Sequence, residues 1–156
     1  MGRWTREELE AAFDKYNEHV AKAAAAGKWE IWTDACFTED VTYEDPSFGV
    51  LGGRDAVARW MNGLTAEYPM SEMKHFPSPW HIVDVERGWV VCEFRNRMRD
   101  PGDGSVHEVY NYAKLHYAGN GRFNFQRDAY DWSHVGPMLE GWQQARAGCE
   151  EEAVEA

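Results

Sequence analysis

The strongest constraint on the fold is a change of periodicity near Pro79. Before this residue, apolar side chains recur at helical spacing, and after it four runs rich in β-branched and aromatic residues alternate with turn sequences. The runs cover residues 80–86, 89–99, 106–118 and 122–132, and DPGDG and GNG are among the turns between them. This order predicts an α+β fold in which N-terminal helices pack on a curved antiparallel sheet.

The turn Asn120-Gly121 sets the register of the last two runs if it is a two-residue hairpin loop. Ala113 then lies opposite Asp128, and Asn111 lies opposite Tyr130. Because side chains alternate across a strand, Asn111, Asp128 and Tyr130 are expected to share the inner face of the sheet. A slip of one residue would reverse the face of the last strand. The same register also places inside Val109, Leu115, Tyr117, Asn124 and Gln126.

Residues 37–60, FTEDVTYEDPSFGVLGGRDAVARW, place two polar side chains where an apolar strand face is expected. In a strand, Val41, Tyr43 and Asp45 point to the same side. Pro46 ends this strand, and a glycine-rich turn leads to a helix that begins near Arg54. A buried carboxylate costs free energy unless it is hydrogen-bonded or used in function, so Asp45 is a candidate functional residue. The alternative is that Asp45 caps the turn before Pro46.

Composition excludes several classes of partner. The chain has 16 Lys and Arg against 27 Asp and Glu, a formal net charge of −11, and no basic cluster. Nucleic acids and anionic membranes are therefore not expected as partners. Three widely spaced cysteines predict free thiols, no apolar run approaches the roughly 20 residues of a membrane span, and the N-terminus shows no signal peptide. A soluble, cytoplasmic protein is expected.

The sequence contains no pattern typical of a metal or cofactor site. Its six histidines form no pair at ligand spacing, and no phosphate-binding glycine loop or nucleophile elbow is present. Neither a metal nor a cofactor is expected.

The order of elements and residues 37–60 resemble the nuclear-transport-factor-2-like superfamily, in particular its SnoaL-like proteins and ketosteroid isomerases. The similarity lies in a Phe-x-x-Asp-Asp-x-x-x-x-Asp-Pro pattern followed by Gly-x-x-Ala-Ile, and it extends over residues 8–132. It implies a cone-shaped, cystatin-like fold. The chain is accordingly expected to form a single SnoaL-like domain over residues 1–148, followed by a flexible acidic tail over residues 149–156.

The resemblance also implies roles for individual residues. In the isomerases the aspartate of Glu-Asp-Pro is the general base, and this position is Asp45. The family's oxyanion tyrosine lies on the first helix, where Tyr16 is the only tyrosine. The family's second, protonated aspartate falls near Ala113, so that acid is missing here, and Asp128 on the neighbouring strand is the candidate replacement.

Two carboxylates in one apolar cavity can differ in pKa and serve as base and acid. With Tyr16, Tyr43, Tyr130 and Asn111 as hydrogen-bonding groups, Asp45 and Asp128 predict a cofactor-independent isomerase, cyclase or dehydratase. Its substrate would be a hydrophobic small molecule such as a polyketide, steroid or terpenoid.

Three alternatives remain open at this stage. In the first, Asp128 is a surface charge paired with Arg127 or Lys114, and the tyrosines are ordinary core residues. In the second, the chain is a non-catalytic binding or dimerisation module. The third is epoxide hydration by a water held by Asp128, Tyr43 and Asn111.

Eight Trp, seven Tyr and seven Phe either fill a bulky core or line a ligand cavity. The residues expected to contact a ligand are Phe13, Trp32, Trp60, Trp80, His81 and Phe94. Other rings, including Tyr110, Tyr112 and Phe125, fall on the outer face of the sheet. They predict a homodimer through that face, although an ordinary half-covered sheet would look the same.

Overall fold

The computed structural model describes residues 2–156 and has the expected α+β architecture. Its helices are α1 (Arg6–Ala26), α2 (Glu30–Cys36), α3 (Arg54–Ala66) and α4 (Val135–Glu155). Its strands are β1 (Phe37–Asp45), β2 (Gly49–Gly52), β3 (Met73–His75), β4 (Trp80–Asp84), β5 (Trp89–Met98), β6 (Glu108–Gly119) and β7 (Arg122–Ala129). Two short 3-10 turns, Met70–Glu72 and Trp132–His134, precede β3 and α4.

The seven strands form one mixed sheet in the order β2-β1-β7-β6-β5-β3, with β4 pairing along the first half of β5. The expectation of a purely antiparallel sheet is wrong in one place, because β1 runs parallel to β7. β1 and β7 are far apart in the sequence and are not joined by a hairpin turn. Their pairing is therefore not required to be antiparallel. The pairing places residues 37–45 beside the last strand.

The register predicted for the last hairpin is confirmed over most of its length. Ala113 pairs with Asp128, and Asn120 and Gly121 both have positive φ, as a tight two-residue turn requires. A register shift beside Tyr117 then moves the start of β7 by one position. As a result Phe123 is fully buried and Asn124 is exposed, the reverse of the expected inner position for Asn124.

The ends of the first and third helices have clear local causes. The Thr5 hydroxyl accepts a hydrogen bond from the Glu8 backbone N–H at 3.1 Å and so begins α1, and Gly27 ends it in the left-handed conformation. Gly53, with a φ of 87°, donates its N–H to the Val41 carbonyl at 2.7 Å and lets α3 begin at Arg54. The hairpin of β1 and β2 thereby aims α3 across the sheet.

Two apolar clusters hold the helices on the sheet. The larger joins the inner faces of α1 and α2 to the centre of the sheet, and its fully buried members include Leu9, Cys36, Phe37, Val90, Leu115 and Phe123. The smaller docks α4 through Met98, Val135, Met138 and Trp142. Trp142 is 1% exposed, and its indole N–H donates to the Arg99 carbonyl at 2.8 Å.

The C-terminal helix α4 continues to Glu155. α4 contains 21 residues, so residues 149–155 have a helical backbone where the sequence predicts a flexible tail. The Arg146–Glu150 pair spans one turn of this exposed end at 3.1 Å. Among residues 2–156, no helix is long and apolar enough to cross a membrane.

Trp142→Ala is expected to lower the free energy of unfolding by about 3–5 kcal/mol, because it removes a fully buried indole and its hydrogen bond. Gln144→Ala, an exposed change on the same helix, should alter stability by less than about 0.5 kcal/mol. Urea unfolding followed by circular dichroism measures both. Equal stability of the two variants would contradict the proposed docking of α4.

Candidate active site

An aromatic-lined cavity of about 150 Å³ lies between the helices and the inner face of the sheet. Its apolar wall comes from α1, α2, α3 and the segment before β4, and its polar residues come chiefly from β1, β6 and β7. The rings that line it include Tyr16, Trp29, Trp32, Tyr43, Phe48, Trp60, Phe76, Phe94, Tyr130 and Trp132. Phe48 and Trp132 are 43% and 52% exposed, so the cavity reaches the surface beside them.

Asp128 lies on the inner face of β7 and lines the cavity. Its Oδ2 accepts a hydrogen bond from the Tyr43 hydroxyl, and its Oδ1 accepts one from the Gln126 amide at 2.9 Å. The pKa of Asp128 is raised to about 6, chiefly by burial; the two hydrogen bonds oppose the shift and the charge of Asp45 adds to it. A carboxyl group with this pKa exchanges protons readily near neutral pH.

Gln126 links this carboxylate to the first helix. Its side-chain carbonyl accepts a hydrogen bond from the Tyr16 hydroxyl at 2.7 Å, and its amide also donates to the Tyr43 oxygen at 3.1 Å. Burial raises the pKa of both Tyr16 and Tyr43, so both phenols keep their protons and act as donors. Both hydroxyl protons are therefore committed within the protein, which fixes the orientation of Asp128.

Asp45, at the end of β1, has a different environment. Its Oδ1 accepts hydrogen bonds from the Ser47 and Phe48 backbone N–H groups at 2.8 and 3.1 Å and from the Tyr130 hydroxyl at 2.8 Å. The residue is 7% exposed and lines the cavity. The Asp45 side chain therefore caps the turn after β1 and also lines the cavity, and its functional role stays a prediction.

Asn111 contributes an amide to the same wall. It is 6% exposed on the inner face of β6, and its side-chain oxygen accepts a hydrogen bond from the Asn96 amide at 2.7 Å. Within residues 2–156, no hydrogen bond from the Asn111 amide nitrogen to another residue is found. This leaves an N–H donor on the same face as Asp128.

The charged residues that line the described cavity are all acidic. Its lining residues include Asp45, Asp128 and Asp131, whereas none of the residues from 2 to 156 that line it is Lys, Arg or His. Across the same part of the chain, no group of three or more His, Cys, Asp or Glu side chains is arranged to hold a metal ion. The geometry suits proton transfer and the binding of apolar ligands.

Nine of the residues predicted from the sequence meet in the cavity. They are Tyr16, Trp32, Tyr43, Asp45, Trp60, Phe94, Asn111, Asp128 and Tyr130. Tyr130 lies just beyond β7 rather than opposite Asn111, because the strand ends at Ala129. Asp128 also does not pair with Lys114 or Arg127, since those side chains point to the other face of the sheet, where Arg127 binds Glu44.

Three predicted ligand contacts lie elsewhere. Trp80 is 40% exposed on the outer face, with its ring 6.0 Å from that of Tyr112. His81 faces α1, where its Nε2 contacts a Glu10 oxygen at 2.5 Å, and Phe13 packs beside it in the core with ring centres 4.8 Å apart. β4 pairs with β5 away from β1 and β7, so its residues lie far from the two aspartates.

Several residues that line the cavity were absent from the predicted set, among them Gln126 and Trp132. Gln126 could have been found, because the hairpin register puts it on the inner face beside Asp128. Trp132 could not, since it stands on a 3-10 turn beyond the last strand, where no periodicity applies. The methionines of the wall, Met61, Met70 and Met73, come together only in the tertiary structure.

Several solved structures share this fold. A putative isomerase from Bacillus subtilis is 16% identical over 86% of this chain and 94% of its own, with a TM-score of 0.64. A ketosteroid isomerase-like protein from Catenulispora acidiphila, in complex with trimethylamine, is 19% identical over 78% and 88% of the two chains, with a TM-score of 0.60. An LEH-like epoxide hydrolase from M. tuberculosis is 14% identical over 96% and 98%, with a TM-score of 0.59. These identities indicate a shared fold and not a shared activity.

A sequence comparison with proteins of curated function finds no match. The family model described as a SnoaL-like domain, in contrast, matches residues 16–128. Those limits run from Tyr16 to Asp128, the two ends of the hydrogen-bonded network in the cavity. Other similar structures are described as NTF2-like and cystatin-like, so the expected fold is confirmed. The chain belongs to the SnoaL-like domain family.

Proposed function

We propose that this protein is a cofactor-independent acid–base enzyme of the isomerase, cyclase or dehydratase type, acting on a hydrophobic small molecule. The observation that carries the proposal is Asp128, a carboxyl group whose pKa is raised to about 6 in an apolar, aromatic-lined cavity. A general base works best when its pKa lies near the pH of the reaction. Strongly perturbed carboxyl groups in such clefts are typical of catalytic sites.

The chemistry that fits is proton transfer next to a carbonyl group. Asp128 takes a proton from the carbon beside the carbonyl, and the electron pair of that C–H bond moves to give an enolate. The Asn111 amide donates a hydrogen bond to the enolate oxygen. If the enolate is conjugated with a C=C bond, Asp128 returns the proton to the far carbon of that conjugated system, the C=O bond re-forms, and the C=C bond has moved, which is an isomerisation. Asp128 and Asn111 are diagonal neighbours on adjacent strands, about 7–8 Å apart, which leaves room for a carbonyl group between them.

Asp128 suits this role better than Asp45, the position that the resemblance to the isomerases implies. Asp45 holds the turn after β1 through two backbone N–H groups, so its carboxylate already has a structural task. Asp128 is held by two side chains, Tyr43 and Gln126, and among residues 2–156 no backbone N–H donates to its carboxylate. We assign proton transfer to Asp128 and an electrostatic role to Asp45.

The size of the cavity restricts the substrate. A cavity of about 150 Å³ holds a molecule the size of benzene. Among polyketides, steroids and terpenoids, this favours single-ring or terpenoid-sized ligands over a four-ring steroid. Three methionines in the wall allow limited adjustment of its shape, because the methionine side chain is flexible.

The competing hypothesis is a non-catalytic binding module. It would be supported by a cone filled with side chains and by an Asp45 that faces solvent. The cavity is instead open between the helices and the sheet, and Asp45 is 7% exposed. These two observations count against a module whose cone is filled, and the exchange experiment below separates catalysis from binding alone.

Asp128→Asn is expected to lower the rate of α-hydrogen exchange in a small cyclic ketone by about 10²–10⁴-fold, because it removes the base. The probe is 2-indanone in D₂O, followed by NMR. Glu44→Gln, which removes a carboxylate on the outer face of the sheet, is the matched control and should keep the wild-type rate. Wild-type exchange in Asp128→Asn would contradict the proposal, and a wild-type rate no faster than buffer would favour the binding module.

The exchange rate is expected to rise with pH through about 6, because Asp128 must lose its proton to act as the base. In Asp45→Asn the midpoint should move to lower pH, since the charge of Asp45 raises the pKa of Asp128. The measurement is kcat/KM for the exchange reaction as a function of pH. A midpoint near the ordinary carboxyl value of about 4 would assign the step to another group.

We also propose that the chain forms a homodimer through the outer face of the sheet. Trp80, Ile82 and Tyr112 are 40%, 63% and 45% exposed there. Beside them Arg95 binds Glu93 at 2.9 Å and Arg97 binds Glu108 at 2.7 Å, so both signs of charge alternate across the surface. A two-fold interface packs a patch against itself, and a patch that carries both signs can pair in that way.

Tyr112→Glu is expected to convert a dimer to a monomer, because it places a charge at the centre of the apolar patch. Sedimentation velocity of the wild type and the variant tests this. Val154→Glu, at a position 87% exposed on α4, adds the same charge elsewhere and should leave the dimer intact. A monomeric wild type would overturn the proposal.

A further inference from the structure

One oxygen of Asp45 has no partner. All three hydrogen bonds to this carboxylate go to Oδ1, and within residues 2–156 no donor is found for Oδ2. The residue is nevertheless 7% exposed and lines the cavity. Oδ2 is accessible and is not a fully buried unsatisfied atom, so this oxygen is free to accept a hydrogen bond or to pair with a charge. A ligand group in the cavity would therefore lie against Oδ2.

The charge around Asp45 determines what that group can be. Asp128 and Asp131 line the same cavity, and no basic side chain among residues 2–156 does so. The chain as a whole has a formal net charge of −11. This field attracts cations toward the cavity and repels anions.

Aromatic rings line the cavity beside Asp45. The Tyr130 hydroxyl touches Asp45 at 2.8 Å, and the ring of Trp132 lies 6.2 Å from the ring of Tyr130. The ring of Phe48, whose backbone N–H also binds Asp45, lies 5.4 Å from that of Trp60. Ring faces attract alkylammonium groups, and several rings around a carboxylate form a site for a substituted amine.

We propose that Asp45, with Phe48, Trp60 and Tyr130, binds a positively charged amine group of the ligand at the rim of the cavity. The substrate class is then a small hydrophobic amine whose apolar part enters the cavity toward Asp128. This rests on the proposed function, in which Asp128 transfers the proton. The two carboxylates then have different roles. Asp45 binds the ammonium group of the ligand, and Asp128 transfers a proton to or from its apolar part.

The two tasks are linked electrostatically. The charge of Asp45 adds to the raised pKa of Asp128. An ammonium group at Asp45 offsets that charge, so an amine ligand lowers the pKa of Asp128 toward its ordinary value. A neutral ligand at the same site has no such effect.

The test compares the binding of benzyltrimethylammonium, a permanent cation, with that of its uncharged isostere neopentylbenzene. Both are measured at neutral pH by quenching of the fluorescence of the cavity tryptophans. Asp45→Asn keeps an acceptor for the turn and removes only the charge. This substitution is expected to lower the affinity for the cation at least about tenfold, because one partly buried charge contact is lost. The affinity for the uncharged isostere should change by less than about twofold.

Glu44→Gln, the neighbouring residue on β1, removes the same charge from the outer face and should leave the affinity for both probes unchanged. Phe48→Leu provides a second test that spares the turn. It keeps apolar bulk at an exposed position and is expected to weaken the cation about two- to fivefold by loss of the ring.

Three results would overturn the proposal. They are no binding of the cation to the wild type, an unchanged affinity for the cation in Asp45→Asn, and an equal loss of affinity for both probes in that variant. None of these depends on the exchange reaction assigned to Asp128. Failure of the amine site and failure of the acid–base function are therefore distinguishable.

Discussion

The hydrogen-bonded series Tyr16–Gln126–Tyr43–Asp128 joins α1, β1 and β7 around one half-buried carboxyl group, and the rest of the site depends on it. Each member is held by the next, at 2.7 Å from Tyr16 to Gln126 and 2.9 Å from Gln126 to Asp128. A buried polar network is stable only when its members are satisfied, and here three elements supply the partners. The network sets the direction in which Asp128 faces the cavity.

The cavity itself follows from how the helices are attached. α1 and α2 pack on the centre of the sheet through the large apolar cluster, whereas α4 docks separately through Trp142 and its neighbours. Between the two clusters the sheet is covered by rings and methionines that leave a space of about 150 Å³. A close-packed core would fill such a space, so this cavity is the candidate binding site.

The two aspartates illustrate how environment separates the roles of identical groups. Asp128 is surrounded by side chains in an apolar wall, and burial raises its pKa. Asp45 receives two backbone N–H groups from the turn that follows it, which fixes its place in the chain. The proposed division into a proton-transfer group and a charge-binding group uses this difference.

Local chemistry in the sequence determined the helices that Thr5 and Gly53 begin, the Asn120-Gly121 hairpin, and through it the inner-face position of Asp128. Hydrogen-bonding caps and turn residues act over a few positions, so these features can be derived from neighbouring residues alone. The parallel pairing of β1 with β7, the partner of Asp45 in Tyr130, and the exclusion of Trp80 and His81 from the cavity were decided only by the tertiary structure. Contacts between residues 80 or more positions apart depend on how whole elements pack, and no local pattern records that arrangement.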